Sequence, residues 1–352
     1  MKKLLFSIFV LSIAFLASCS KDTNIETTSV NEEKSIKIVA SVPPIASIAN
    51  YIGWKYVSVS SLIEPGFSPH TFDLKPSQII AMEKADFIIA TGLGIDSFIE
   101  KNTQEDKHIL LKESVQLIEW EEHDHDHGEH EAHTDEHHDE HWHENEHHDE
   151  HWHEAEHHDE HWHENEHHDE HSNTVHNENE EVFFDPHLWL SLENGEKIAG
   201  KVTQILSEKN PENKIYFEKN LEDFKKKSEE IKNNFSKKTE NKQLNNFVIF
   251  HEAYGYLFQE MNIDETKVIV LQETAGRETS VSEMKHIVDE ITEHKVKVLY
   301  KEPQLDTKLI DTLVEKHSLQ LSELDPLGKS IEKNGYFNTI ESNLNNLLIS
   351  YE

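Results

Sequence analysis

Histidine and carboxylate side chains are concentrated in one stretch of this sequence. Residues 121–181 hold 21 of the 28 histidines and 25 of the 69 acidic residues, and they contain no lysine or arginine. Neutral imidazole binds zinc, copper, nickel and iron, and interleaved carboxylates attract divalent cations. The chemistry that this pattern indicates is metal binding.

The tract at 121–181 is built on a decapeptide, EHHDEHWHEN, which begins at Glu136 and recurs every ten residues as far as Glu166. The repeats offer overlapping ligand sets and contain too few apolar side chains to bury a core. We therefore expect a loop that is disordered without metal, binds several ions loosely and loses affinity as the pH falls through about 6.5. Three HExxH matches, the first at His143, lack the apolar face that would hold a zincin helix in place. The histidines that we assign as weak auxiliary metal ligands are His123, His125, His127, His137, His138, His141, His143, His147, His148, His151 and His153.

The N-terminus carries an export signal. Two lysines precede an apolar run over 4–17 that is too short to span a bilayer, which predicts a signal peptide at 1–18. The segment LASC, ending at Cys19, resembles a bacterial lipobox and predicts a lipid anchor at Cys19 with a tether over 19–35; an ordinary signal with a chance cysteine is the alternative. We expect an exported protein, lipid-anchored to a bacterial membrane and facing the periplasm or the cell exterior. Because Cys19 is the single cysteine, an intramolecular disulfide is excluded.

The charge balance excludes two classes of partner. The formal net charge is −36, of which −25 lies in the tract and therefore −11 in the remainder. Nucleic acid and anionic membrane surfaces repel such a chain. No nucleic-acid partner is expected.

The rest of the sequence alternates strand and helix patterns. This alternation predicts an α/β fold of two lobes, each with a mainly parallel sheet flanked by helices, at 36–210 (interrupted by the tract) and 239–352. The runs typical of buried strands are Ile36–Ala40, Tyr56–Ile63, Phe87–Ala90, His108–Leu111, Phe247–Phe250, Val268–Leu271, Val296–Tyr300 and Leu319–Leu324. The predicted helices are Ile45–Ile52, Pro76–Lys84, Val281–Lys295 and Thr307–Lys316.

A charged stretch at 211–238 separates the two lobes and contains no Gly or Pro after Pro211. It predicts one helix of about 27 residues, which would extend about 40 Å and join the lobes along one side. An ordinary amphipathic helix belonging to one lobe is the alternative. The residues that we place on its buried face are Ile215, Leu221, Phe224, Ser228, Ile231 and Phe235.

Four side chains outside the tract could form a specific site: His70, His187, His251 and Asp325. Each follows a strand-like run, and open α/β sheets bind ligands beyond the carboxyl ends of their strands. Three His and one Asp match a four-coordinate zinc shell, although each residue taken singly also suits a turn. The spacing alone does not choose between these interpretations.

From about Ile36 to the C-terminus, the chain resembles the metal-binding lipoproteins that serve ABC importers of zinc and manganese. The similarity is closest to the zinc-specific, ZnuA-like branch, and its motifs are PGFSPHTFDLKPSQ, DPHLWL, FHEAYGYLFQ, LQETAGRETS, KEPQLD and LDPLG. The resemblance implies two α/β lobes joined by a long helix, with the metal between the lobes. It also implies that the four residues named above are the ligands. His251 stands where manganese-binding relatives carry Glu, and an acidic His-rich loop before DPH recurs in the zinc branch.

The resemblance implies a monomeric, non-enzymatic receptor that carries Zn²⁺ as cargo to an ABC permease, with the His-rich loop gathering or sensing zinc. Two departures are the missing cysteine pair of some relatives and the unusual length of the tract. Three alternatives remain: a receptor for manganese or another divalent metal, a surface metal-buffering or adhesion lipoprotein, and a zinc hydrolase with Glu252 as its base.

Overall fold

A computed structural model describes residues 35–119, 174–177, 180–272, 279–305 and 308–352. All of these residues fall within one compact unit, Ser35–Glu352. The predicted signal peptide, Cys19, the tether as far as residue 34 and the auxiliary histidines of the tract lie outside the described residues. No helix in the described part of the chain is long and apolar enough to cross a membrane.

The first half of the chain forms a parallel sheet. Its strands are β1 (Ile36–Ala40), β2 (Val57–Ser61), β3 (Phe87–Ala90) and β4 (His108–Leu110), in the order β2-β1-β3-β4. The accompanying helices are α1 (Pro43–Gly53), α2 (Pro76–Glu83) and α3 (Phe98–Asn102). Four of the five residues of β1 are buried, as expected for a strand covered on both faces.

An antiparallel hairpin and two helices connect the halves. The hairpin pairs β5 (Thr174–Asn177) with β6 (Glu180–Phe183), so regular structure begins before position 181, where we placed the end of the tract. Next to it, a bridge joins Glu119 to Phe184, so that the two ends of the intervening chain lie side by side. The helices are α4 (Leu192–Lys209) and α5 (Lys214–Thr239).

The second half repeats the parallel arrangement. Its strands are β7 (Phe247–His251), β8 (Val268–Gln272), β9 (Val298–Lys301) and β10 (Gln320–Glu323), in the order β10-β9-β7-β8. Its helices are α6 (Gly255–Met261), α7 (Val281–Glu293), α8 (Lys308–His317) and α9 (Gly335–Leu347). Two parallel four-stranded sheets with flanking helices confirm the predicted fold class.

The predicted long helix is confirmed as α5, which has 26 residues and follows a 3-10 turn at Pro211–Asn213. It packs against α1 of the first half and against α6 and α9 of the second half, so it joins both. Ile215 was wrongly placed on the buried face and is 81% exposed. It lies two residues, or about 200° around the helix, from the buried Phe217. The buried residues are Phe217, Asn220, Phe224, Ser228, Ile231 and Phe235.

The two halves share one hydrophobic core, which includes residues of β1, β7 and β9. Hydrogen bonds cross between the halves within it. Trp189 is fully buried and donates from Nε1 to the carbonyl oxygen of Pro326 at 2.7 Å. Tyr336 donates from its hydroxyl to the carbonyl oxygen of Ser191 at 2.9 Å. These buried contacts fix the halves against each other.

The start of α4 lies just after His187 and is capped by Ser191, whose Oγ accepts the backbone N–H of Asn194 at 3.0 Å. We predict that Ser191→Ala lowers the free energy of unfolding by about 1 kcal/mol, because this N–H loses its acceptor. Urea unfolding measures the change. Ser236→Ala, at an exposed position of α5, is the control and should change the free energy by less than about 0.5 kcal/mol. Equal losses in both variants would contradict the capping role.

Candidate metal centre

Three of the predicted ligands, His70, His187 and His251, come together and are called the His cluster below. His70 lies in the 3-10 turn Pro69–Thr71. His187 directly precedes the 3-10 turn Leu188–Leu190, and His251 is the last residue of β7. His187 and His251 are almost fully buried, whereas His70 is partly exposed. The cluster therefore forms at a strand's carboxyl end, as expected for an open α/β sheet.

The nitrogen atoms of the His cluster converge on one point. Nε2 of His187 lies 3.4 Å from Nε2 of His70 and 3.4 Å from Nε2 of His251. The ligand atoms of all three residues lie within 4.8 Å of one another. Zn–N bonds of about 2.0–2.1 Å in a tetrahedron place two ligand nitrogens about 3.3 Å apart. The measured spacing therefore suits one tetrahedral zinc ion.

The cavity at the His cluster has a volume of about 10 Å³. This is roughly the space of one water-sized sphere, whereas organic ligands occupy pockets of about 300–1,000 Å³. The cavity suits an ion or a water molecule and is too small for an organic solute. Among the described residues, no other group of three or more His, Cys, Asp or Glu side chains is arranged to hold a metal.

Asp185 orients the imidazole of His187. Its Oδ1 lies 2.8 Å from Nδ1 of His187 and also accepts the backbone N–H of His187 at 2.8 Å. When Asp185 is ionised it only accepts hydrogen bonds, so Nδ1 of His187 then carries the hydrogen and Nε2 keeps its lone pair for a metal. Burial, with a smaller contribution from His251, lowers the pKa of His187 well below its ordinary value, so this imidazole is neutral at neutral pH. Burial raises the pKa of Asp185 to about 7, and a bound cation would favour its ionised form.

Glu302 orients the imidazole of His251. Its Oε1 lies 2.5 Å from Nδ1 of His251, and both side chains are 3% exposed. Asp185 and Glu302 were not predicted as site residues, although they belong to the motifs DPHLWL and KEPQLD. The signal that could have found them is the requirement that a metal-binding imidazole donates its second N–H to a carboxylate or carbonyl.

Asp325, the predicted fourth ligand, is buried but lies outside the His cluster and outside the cavity lining. Its Oδ1 accepts a hydrogen bond from Nε2 of Gln304 at 2.7 Å. The same oxygen accepts the backbone N–H groups of Leu327 and Gly328 at 3.0 and 2.8 Å. Direct binding of an ion by Asp325 stays a prediction, and it would require this side chain to move toward the cluster.

Glu252, the base considered for a hydrolase, does not line the cavity of the His cluster. It lines a larger cavity of about 390 Å³ beside β8 and α7. A general base must come within hydrogen-bond reach of the water that it activates. The positions of Glu252 and the His cluster therefore do not favour metal-assisted hydrolysis.

The first end of the His-rich stretch is attached beside Asp185. The hydroxyl of Tyr256 accepts the backbone N–H of Ile118 at 3.1 Å and donates to the carbonyl oxygen of Asp185 at 2.9 Å. Asp185 in turn donates its backbone N–H to Ile118 at 3.0 Å. Ile118, three residues before the His-rich stretch begins, is thus hydrogen-bonded to the backbone of the residue whose side chain orients His187.

Comparison with known proteins decides among the metal-binding classes. Residues 38–348 match the family described as ZnuA, zinc-uptake complex component A, periplasmic. The chain belongs to this family. The high-affinity zinc uptake system protein ZnuA of Haemophilus influenzae is 36% identical over 313 residues, which cover 87% of this chain and 90% of that protein. As a member of the ZnuA family, the chain is a solute-binding protein and not an enzyme, as the sequence predicted.

Solved structures of similar proteins confirm the fold. A ZnuA deletion mutant crystallised with zinc bound has a TM-score of 0.61 at 19% identity, with 89% of this chain and 98% of that chain covered. The solute-binding protein FpvC of Pseudomonas aeruginosa, in complex with Mn²⁺, has a TM-score of 0.65 at 17% identity, with 90% and 98% covered. The same fold therefore occurs in proteins that hold either metal.

Proposed function

We propose that this chain is the zinc-binding receptor of an ABC-type uptake system, which captures Zn²⁺ outside the cytoplasm and delivers it to a membrane permease. The observation that carries the proposal is that Nε2 of His187 lies 3.4 Å from Nε2 of both His70 and His251, around a cavity with the volume of one small ion or water. Membership of the ZnuA family supports zinc uptake as the purpose of this binding. The ion is cargo, so no covalent bond is made or broken.

The ligand set favours zinc over manganese. His70, His187 and His251 supply three neutral nitrogen ligands, and imidazole-rich shells suit zinc better than manganese, which prefers oxygen. Asp325 or a water molecule would complete the four-coordinate shell. A manganese receptor of the same fold is the alternative that a metal competition tests.

The proposed location follows from the N-terminal sequence and the family. Lipidation of Cys19 would anchor the mature chain to a membrane, with the tether at 19–35 holding the lobes in the periplasm or at the cell exterior. All three His ligands come from one chain, so the cluster is complete without a second copy. A surface metal buffer or adhesin would bind zinc in the same way, but zinc uptake would not depend on it.

Release of the ion would require help from the permease. Helix α5 spans both halves, and the buried bond from Trp189 to Pro326 ties the segment after His187 to the segment after Asp325. These contacts oppose a spontaneous opening of the lobes. We infer that docking on the permease distorts the His cluster and frees the ion.

A deletion of residues 121–173, which leaves the β5–β6 hairpin in place, tests the division between the His cluster and the tract. We expect one tight zinc site to remain at unchanged affinity and several weak sites to disappear, because the three cluster ligands lie outside the deletion. Competitive titration of Zn²⁺ against Mn²⁺ with a chelating dye measures both classes of site. Loss of the tight site in the deletion variant would contradict the assignment of tight zinc binding to the His cluster.

A further inference from the structure

Gln304 connects the cavity of the His cluster to Asp325. It lines the cavity, and its Nε2 donates to Oδ1 of Asp325 at 2.7 Å. Its Oε1 is buried and has no hydrogen-bond partner among the described residues. A buried oxygen without a donor is unfavourable by about 1–3 kcal/mol, which is why such groups in folded proteins call for an explanation.

The orientation of the Gln304 amide is fixed by its neighbour. An ionised carboxylate only accepts hydrogen bonds, so the NH₂ group must face Asp325 and the carbonyl oxygen must face away from it. Asp325 is itself held in place by Asn343, whose side chain accepts the backbone N–H of Asp325 at 2.9 Å and donates to its carbonyl oxygen at 2.8 Å. Gln304 is therefore an oriented acceptor at the edge of the cavity.

We propose that Oε1 of Gln304 accepts a hydrogen bond from a water molecule that completes the shell of the bound zinc. The inference rests on the proposed function and names the group that positions the fourth ligand. The three Nε2 atoms would seat the ion in the cavity that Gln304 also lines, so the unpaired Oε1 belongs to a side chain that borders the position of the ion. Zinc polarises its bound water and makes it a strong donor.

In this arrangement Asp325 acts through Gln304 and stays outside the coordination shell. Its carboxylate, anchored by the N–H groups of Leu327 and Gly328, accepts from Nε2 and so strengthens Oε1 as an acceptor. Gln304 is a positioning residue, because it contacts the ligand water and not the ion.

Zinc affinity of the mature full chain tests this role when one equivalent of zinc competes with a chelating dye. Gln304→Leu is expected to bind zinc about tenfold more weakly, at the lower end of losses seen when partners of a metal ligand are removed. Gln304→Glu keeps an acceptor oxygen but loses the N–H that Asp325 accepts, so it is expected to bind zinc more weakly than the parent and more tightly than Gln304→Leu. Gln320→Leu makes the same substitution at an exposed position of β10 and should leave the affinity unchanged.

A double-mutant cycle with Asp325→Asn separates this role from direct ligation. Under the proposal, Asp325→Asn weakens zinc binding in the parent but has no further effect in the Gln304→Leu background. The inference is overturned if Gln304→Leu binds zinc as tightly as the parent or more tightly, if both substitutions at 304 weaken binding equally, or if Asp325→Asn still weakens binding beside Gln304→Leu. Melting temperatures of the metal-free variants show whether each variant is folded.

The same titration distinguishes failure of this inference from failure of the proposed function. If the parent has no tight site, or if His251→Ala leaves the site intact, the receptor assignment itself fails. If His251→Ala weakens the site and Gln304→Leu does not, only the role of Gln304 is lost.

Discussion

Replacing His251 with alanine is expected to weaken zinc binding at the His cluster by about 100-fold or more. Structural zinc sites bind with about 10–16 kcal/mol shared among four ligands, so one ligand contributes about 3 kcal/mol, and 1.4 kcal/mol corresponds to a factor of ten. His251 is 2% exposed, and its Nε2 lies 3.4 Å from that of His187. Among the described residues, only His70 and His187 join His251 in the group of potential metal ligands, so no further His, Cys, Asp or Glu of that group can take its place.

The measurement is a competitive zinc titration of the soluble, lipid-free chain beside two variants. His294→Ala, which removes a side chain that is 43% exposed at the end of α7, is the matched control and should leave the tight site unchanged. If tight, zinc-selective binding persists in His251→Ala, the tight zinc site lies in the His-rich tract and not at the His cluster. A surface metal buffer would then describe the protein better than an uptake receptor.

Glu302→Gln is expected to weaken zinc binding by about 10- to 100-fold without removing a ligand. The carboxylate accepts from Nδ1 of His251 at 2.5 Å and keeps the lone pair of Nε2 directed at the ion. Glutamine has the same size but no charge, and its amide can present either an acceptor or a donor to Nδ1. The substitution therefore no longer fixes the hydrogen of His251 on Nδ1, and Nε2 is less often the free acceptor that faces the ion.

The same titration, together with the melting temperature of the metal-free protein, checks this prediction. Glu341→Gln is the control, because Glu341 is 42% exposed on α9 and pairs with Lys227 at 3.7 Å. Unchanged affinity in Glu302→Gln would show that His251 is oriented by its own packing. An equal loss in both variants would mean that general charge around the site, and not this contact, sets the affinity.

Strands were the most predictable elements of the fold. The runs Ile36–Ala40 and Phe87–Ala90 were predicted with the bounds that β1 and β3 have in the structure. Strands of a parallel sheet are covered on both faces, so most of their residues are apolar; β1 has one polar residue, the exposed Lys37, and β3 has none. The second sheet was predicted with bounds that differ by one or two residues, because the apolar run and the hydrogen-bonded ladder do not end together.

Helices α4 and α9 were not predicted. Gly195 and Gly200 lie within α4, and Gly335 begins α9; glycine has a low helix propensity. The structure explains Gly195, because a Cβ atom there would overlap the hydroxyl of Tyr336, which crosses the helix at this point. The contact that requires glycine joins α4 to Tyr336 of α9, about 140 residues later in the chain, and a local sequence pattern cannot predict it.

Three histidines of the candidate site were predicted, but their partners were not. Motif resemblance singled out each histidine, whereas the contact between His251 and Glu302 joins residues 51 positions apart. Such pairs have no regular spacing along the chain, so a periodic sequence pattern cannot predict them. The bond between Gln304 and Asp325 depends in the same way on how two loops meet at the edge of the second sheet.

The bridge between Glu119 and Phe184 has a consequence for how the protein can change in evolution. Glu119 and Phe184 are paired, so the distance between the two ends of the segment that joins them does not depend on the length of that segment. The entropy of closing such a loop grows only with the logarithm of its length, so a doubling costs about 0.6 kcal/mol and one more decapeptide about 0.1 kcal/mol. Slippage during DNA replication could therefore add or remove whole repeats, and so change the number of weak metal ligands, while the lobes and the His cluster stay as they are.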